Sequence, residues 1–121
     1  MSGLSSKSFE SPDEVRSPDK TKIEVLDLNG TKAARLRLEP GWRWSECIKP
    51  VVGGESCQAH HVGVLVSGAM HIVHNDGAEV DITTGMAYVI KPGHDAWVVG
   101  DEPAVGYEFD SSTAQTFAKP S

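Results

Sequence analysis

Short apolar runs, cut by turn residues every few positions, fill most of the 121-residue chain. "KIEVLDL" (22–28) alternates apolar and charged side chains, the period of a strand with one buried face. Asn29-Gly30 follows it, a strong two-residue hairpin signal, because both central positions of the favoured turn take positive φ. "KAARLRLE" (32–39) sets Ala34, Leu36 and Leu38 on one face and Arg35, Arg37 and Glu39 on the other. "PGWRWSECIKP" (40–50) reads as a turn carrying Trp42 and Trp44, and "VVGGE" (51–55) as a loop. "SCQAHHVGVLVSG" (56–68) reads as one long apolar strand, and "AMHIVHNDG" (69–77) as a strand closed by a hairpin turn. "AEVDIT", "MAYVIK", "AWVVG" and "AVGYEF" complete a set of about nine strands. Helical periodicity is weak outside the N-terminal segment. The pattern predicts an all-β sandwich or barrel.

The two ends read differently. Residues 1–20 are rich in Ser, Lys and acids, with Pro12 and Pro18, and predict a flexible N-terminal arm. Residues 21–110 predict one domain, large enough to bury its own core. Residues 111–121, "SSTAQTFAKPS", predict a loose polar tail.

Charge and composition narrow the function classes. The formal net charge is -6 and no basic cluster is present, which argues against nucleic acid as a partner. An acidic surface disfavours anionic membranes, and no apolar run is long enough to span one. The N-terminus carries no apolar signal region, so the expectation is a soluble cytoplasmic protein. Cys47 and Cys57 match no zinc-ribbon or C-x-x-C spacing. In the cytosol they read as two reduced thiols, with a disulfide across a hairpin as the alternative. No serine sits in a nucleophile elbow, and no glycine-rich loop opens a helix to cradle phosphate.

The run from Gly54 to Trp97 resembles the cupin superfamily. "LVSG" (65–68) is similar to the end of the first cupin motif, and Gly85 with "KPG" (91–93) to the second. "GWRWSEC", "SCQAHH" and "PGHDAWVVGDEP" look like a bacterial group of small single-domain cupins. The resemblance implies a jelly-roll β-barrel that holds a metal ion or a small molecule. Counted back from Gly68, the two motif histidines fall on Glu55 and Cys57, and the motif glutamate on His61. The histidine of the second motif falls on Ala96. Three of the four ligand positions therefore hold non-standard residues that can still bind metal.

Glu55, Cys57 and His61 share strand parity and, with His94 two residues before the lost position, form the candidate pocket and metal set. A thiolate among the donors favours a divalent ion such as zinc over catalytic iron. Geometry opposes an easy site. Four residues of straight strand span about 13 Å, whereas zinc sits about 2.0–2.3 Å from its donors. Cys57 and His61 can share an ion only if the strand bends sharply or bulges. The competing view is that both are interior packing residues.

These readings converge on a small-molecule-binding cupin with an altered metal site and no assigned activity. The alternatives are a metal-dependent enzyme (isomerase, decarboxylase or oxygenase) using Glu55, Cys57, His61 and His94, and a regulatory module that senses a ligand or the thiol state. Leu65 and Val89 are expected in the core, and His94 facing inward at the barrel mouth. Asp95 is expected to hold the turn through backbone hydrogen bonds. Trp97 is expected to pack outside the barrel. Trp42, Trp44 and Trp97 together predict an apolar surface that a homodimer would cover.

Overall fold

In the computed structural model, residues 3–110 are described here. They form nine strands in two antiparallel sheets. The strands are β1 (Glu14–Arg16), β2 (Thr21–Leu28), β3 (Thr31–Leu38), β4 (His61–Ser67), β5 (Ala69–His74), β6 (Glu79–Thr83), β7 (Ala87–Ile90), β8 (His94–Val98) and β9 (Ala104–Phe109). Two short helices, α1 (Trp44–Cys47) and α2 (Lys49–Val52), lie between β3 and β4. One sheet runs β1-β2-β3-β9-β4-β7 and the other β6-β5-β8.

The turn chemistry places the hairpins as expected. Asn29 and Gly30 both take positive φ, 56° and 102°, and close β2 onto β3 with Leu28 opposite Thr31. Alternation then decides which side chains face the second sheet. Ile23 pairs with Leu36 and Val25 with Ala34, all four buried, while Lys22 and Arg37 pair on the outer face. From the other sheet come Ile72, Ile82 and Ala96, and the two inner faces make one core.

Glu24 is a buried charge on the outer face, and its partner sits directly across the ladder. Arg35 donates to both Glu24 oxygens, at 2.7 and 3.1 Å, and to Glu10 at 2.9 Å. These hydrogen bonds hold the Glu24 carboxyl below its ordinary value. The arginine also brings down the N-terminal segment. Its guanidinium lies 5.4 Å from the Phe9 ring centre, and Phe9 packs 5.3 Å from Tyr107. Within the stretch read as an arm, residues 14–16 pair with β2 as a sixth strand of the large sheet. The predicted tail, residues 111–121, lies outside the described residues.

Three expectations are corrected. Trp42 and Trp44 are core residues, each 1% exposed, not surface rings. The indole N–H of Trp42 donates to Thr21 Oγ1 at 2.9 Å, which lets so large a ring be buried without an orphaned donor. Their burial removes two of the three rings on which the homodimer expectation stood. Val89 is 62% exposed, because it pairs with Val62 on the outer face of β4 and β7, and Tyr88 and Ile90 take the inward parity. Residues 56–68 are not one strand: β4 begins only at His61.

Leu65, 2% exposed between the sheets, is the core position that alternation placed correctly. Leu65→Ala should cost about 2–5 kcal/mol in denaturant melts. Val89→Ala on the outer face should stay within about 0.5 kcal/mol of the parent.

Candidate functional site

The site forms where the chain leaves α2 and enters β4. Residues 56–60 carry no strand, and the backbone is pinned to the start of β8. Cys57 N–H donates to the His94 carbonyl at 2.7 Å, and Gly93 N–H donates to the Cys57 carbonyl at 2.7 Å. Ser56 is held from the side by Asn75 Nδ2 at 3.0 Å. This bend brings the Cys57 side chain back over the first residue of β4. Cys57 Sγ stands 3.8 Å from His61 Nε2. The 13 Å that a straight strand would impose on these two residues is gone because there is no strand between them.

His94 completes a cluster at the same end of the barrel. The rings of His61 and His94 are 5.1 Å apart, edge to face, and the ligand atoms of Cys57, His61 and His94 all lie within 4.8 Å of one another. All three residues are buried. Glu55, the fourth member of the predicted set, is not part of the cluster. Its side chain is fully exposed in the Gly53–Ser56 loop, near Lys49. Strand parity fails for it because the loop has no parity. Ala96 faces inward on β8, buried, two residues beyond His94.

The residue that sequence reasoning missed is Glu108. It is 3% exposed on β9, in register with Gly63 on β4. Its Oε1 lies 2.9 Å from His61 Nδ1, and the Tyr88 hydroxyl donates to its Oε2 at 2.8 Å. Gly63 leaves it room. A Cβ there would collide with the Tyr107 carbonyl oxygen and come within 2.8 Å of Glu108 Cγ. The signal was present in "AVGYEF", since Ala104, Gly106 and Glu108 share inward parity and one of them is charged.

The electrostatics follow from this packing. Burial pushes the His61 imidazole toward its neutral form, yet the Glu108 carboxylate and the Cys57 sulfur outweigh it and raise the ring above its ordinary value. Burial likewise pushes the Cys57 thiol up, but hydrogen bonds to His61 and His94 bring it down to about 7. Burial, with Glu108 beside it, pushes the Tyr88 phenol well above its usual range. Tyr88 is therefore a hydrogen-bond donor at neutral pH.

Several other histidine, aromatic and acidic side chains stand apart from the cluster. His60 is exposed. His71 faces out, clasped by Asp81 at 2.6 Å and Glu79 at 2.7 Å, and its ring lies 4.9 Å from Trp97. Trp97 does face outward, under the Arg43 guanidinium at 4.1 Å. Asp95, expected to hold the Pro92-Gly93 turn, instead accepts from Ala96 N–H within β8 at 2.9 Å and from the Ser45 N–H and hydroxyl at 3.2 and 2.9 Å, so it ties α1 to β8. Cys47 and Cys57 are both free; the Cys47 thiol lies 3.7 Å from the Asp19 carboxylate. A disulfide between them is not formed.

Comparison with solved structures places this architecture. A variant of oxalate decarboxylase from Bacillus subtilis matches with a TM-score of 0.64 and 15% identity, over 98% of this chain and 33% of that one. The cupin domain of Cnp3 from Schizosaccharomyces pombe matches with a TM-score of 0.58 and 15% identity, over 91% of this chain and 76% of that one. The fold is that of a cupin. A protein of unknown function from Rhizobium leguminosarum is similar at a TM-score of 0.56 and 17% identity, over 77% of this chain and 82% of that one. The chain spans a third of oxalate decarboxylase. No protein-family model and no curated protein sequence matches the chain. Among the described residues, no helix is long and apolar enough to cross a membrane.

In metal-free protein the Cys57 thiolate should appear as pH rises through about 7, read as absorbance near 240 nm. Below that pH the thiol is protonated and the signal is absent. His61→Gln should move the midpoint upward, toward the ordinary thiol value, because it removes the imidazolium that stabilises the anion.

Proposed function

We propose that this cupin binds a divalent metal ion through Cys57, His61 and His94, with zinc favoured by the donor set, and a small organic molecule in the cavity beside it. The observation that carries the reading is the orientation of the two rings. His61 presents Nδ1 to a carboxylate and His94 presents Nδ1 to the Lys91 carbonyl at 2.8 Å. Both partners accept hydrogen bonds, so both rings donate from Nδ1 and leave Nε2 as the nitrogen available to an ion. Metal-binding histidines are fixed in this way by their outer partners. The third donor is a thiol already biased toward its anion.

The residues fit such an ion. A spread of donor atoms within 4.8 Å is close to what zinc bonds of about 2.0–2.3 Å allow. A mixed thiolate and imidazole set suits zinc, and the two-histidine, one-carboxylate set of oxygen-activating iron is not assembled, since Glu55 points away and Glu108 is spent on His61 and Tyr88. When bound, zinc with three protein ligands supplies a Lewis acid with a position for one further ligand. The chain's own residues do the positioning. Glu108 fixes the tautomer and angle of His61, Tyr88 fixes Glu108, and the Lys91 carbonyl fixes His94.

The cavity that His61 also lines supports the reading of an organic ligand. Its other walls include Leu36, Leu65, Ile82, Tyr88 and Glu108. An apolar chamber with a few convergent polar groups is the usual form of a small-molecule site.

Elemental analysis of protein purified without chelator should find one zinc per chain. His61→Gln and Cys57→Ser should lose it, and Glu55→Gln should keep it. Glu108→Gln should weaken zinc about 10–100-fold, as removal of an outer partner does. Metal-free protein that fails to take up zinc at neutral pH would overturn the reading.

A further inference from the structure

The cavity beside His61 holds only about 40 Å³ of space. An apolar cavity that accepts benzene is nearer ~150 Å³, so the chamber as it stands takes no more than a few heavy atoms. A second, open cleft of about 330 Å³ lies on the outside of the barrel. It is bounded by Glu79 and Val80 of β6 and by Val89 and Ile90 of β7. These are the edge strands of the two sheets, so the cleft is the seam where the sandwich is not closed. Two side chains, Ile72 and Ile90, line both the cleft and the inner cavity. They stand between the cleft and the inner cavity, in contact with both.

The two spaces differ in charge. His74, Asp76, Glu79 and Lys91 rim the outer cleft. No Lys or Arg is among the residues lining the inner cavity. Its only ionisable groups are His61, Glu108 and Tyr88, which are hydrogen-bonded to one another through Glu108. A carboxylate in the chamber would sit against aliphatic walls beside another carboxyl group, and the one cation there, the His61 imidazolium, is already paired with Glu108 at 2.9 Å, so nothing is left to compensate its lost hydration.

We infer that the seam between β6 and β7 is the mouth of the binding cavity, that a ligand passes between Ile72 and Ile90, and that the part reaching the interior is a neutral, compact group, carboxylates being excluded. The likeness of fold to oxalate decarboxylase then does not extend to a small dianion as ligand. The inference deepens the proposed small-molecule site, and it concerns the metal-free protein, because a bound ion with an open position would itself attract a carboxylate.

The test uses the metal-free full chain labelled at isoleucine methyl groups, titrated with 2-propanol and with acetate, which are matched in size. 2-Propanol should produce saturable shifts at Ile82, which lines only the inner cavity, and at Ile72 and Ile90. Acetate should bind there at least tenfold more weakly. Ile90→Trp, which plugs the passage, should abolish the Ile82 response; Ile72→Phe is the second plug should the first variant fail to fold. Acetate shifting Ile82 as tightly as 2-propanol would overturn the exclusion of carboxylates. An unchanged 2-propanol response in both plugged variants would overturn the route. Absence of any saturable shift at Ile82 would overturn the site itself. Zinc uptake by separate aliquots of the same protein separates the two proposals. Loss of zinc uptake with the 2-propanol response intact sinks the metal reading alone, and zinc uptake with no 2-propanol response sinks this one alone.

Discussion

The carboxyl group of Glu108 organises the interior of this barrel. A carboxylate buried without partners is too costly to keep, so its surroundings must supply donors. One oxygen takes His61 and the other takes Tyr88. Those two bonds connect three neighbouring strands of the large sheet, β9, β4 and β7, from the inside. They also determine which nitrogen of His61 faces Cys57, and therefore what the cluster at the barrel mouth can do. The glycine opposite Glu108 belongs to the same arrangement, because any larger residue at position 63 would occupy the space the carboxyl chain needs. A ligand cluster, a tautomer and an inward-facing glycine all depend on one buried acid.

Much of this fold was legible because local and global preferences agree. Alternation located the strands, and Asn29-Gly30 fixed the first long hairpin. Parity turned His61, Leu65 and His94 inward, and all three are buried. The errors came where a period was extended past the structure that justifies it. Cys57 reaches the site by a loop that folds back, so its place near His61 owes nothing to strand parity. Glu55 shows the same point from the other side, since the argument that assigned Cys57 also assigned a residue that is out in solvent. Trp42 and Trp44 were read as surface because a polar turn surrounds them. The structure buries both rings, Trp42 just before α1 and Trp44 as its first residue, and no short-range pattern encodes such a choice. Glu108 was hidden for a further reason. A charge on the inner face of a strand contradicts the binary pattern, and conflicts of that kind tend to mark functional positions.

The outer face of the small sheet follows a different logic. Arg43, Trp97 and His71 stack in sequence, with Asp81 and Glu79 gripping the histidine. Asp95, from the same strand as Trp97, bonds to Ser45 and lies 3.8 Å from Arg43. This polar and aromatic strip fastens α1 to β8, the strand that carries His94. Inside the barrel the cluster is positioned by hydrogen bonds to backbone and to one acid; outside it is supported by charge and stacking.

The order of strands carries a consequence for how the molecule is made. β9, the last strand of the described chain, lies in the middle of the large sheet, between β3 and β4. It also brings Glu108. A nascent chain emerging residue by residue can form the β2–β3 hairpin and the β5–β6 hairpin early, since both are local. It cannot join the halves of the large sheet, or orient His61, until β9 has been synthesised and inserted between strands that precede it by dozens of residues. At translation rates of about 5–20 residues per second, the precursor therefore waits for seconds with the flanks of β3 and β4 unpaired. The Cys57, His61 and His94 cluster gains its Glu108 support only when β9 inserts, so chains still under synthesis should expose unpaired sheet edges.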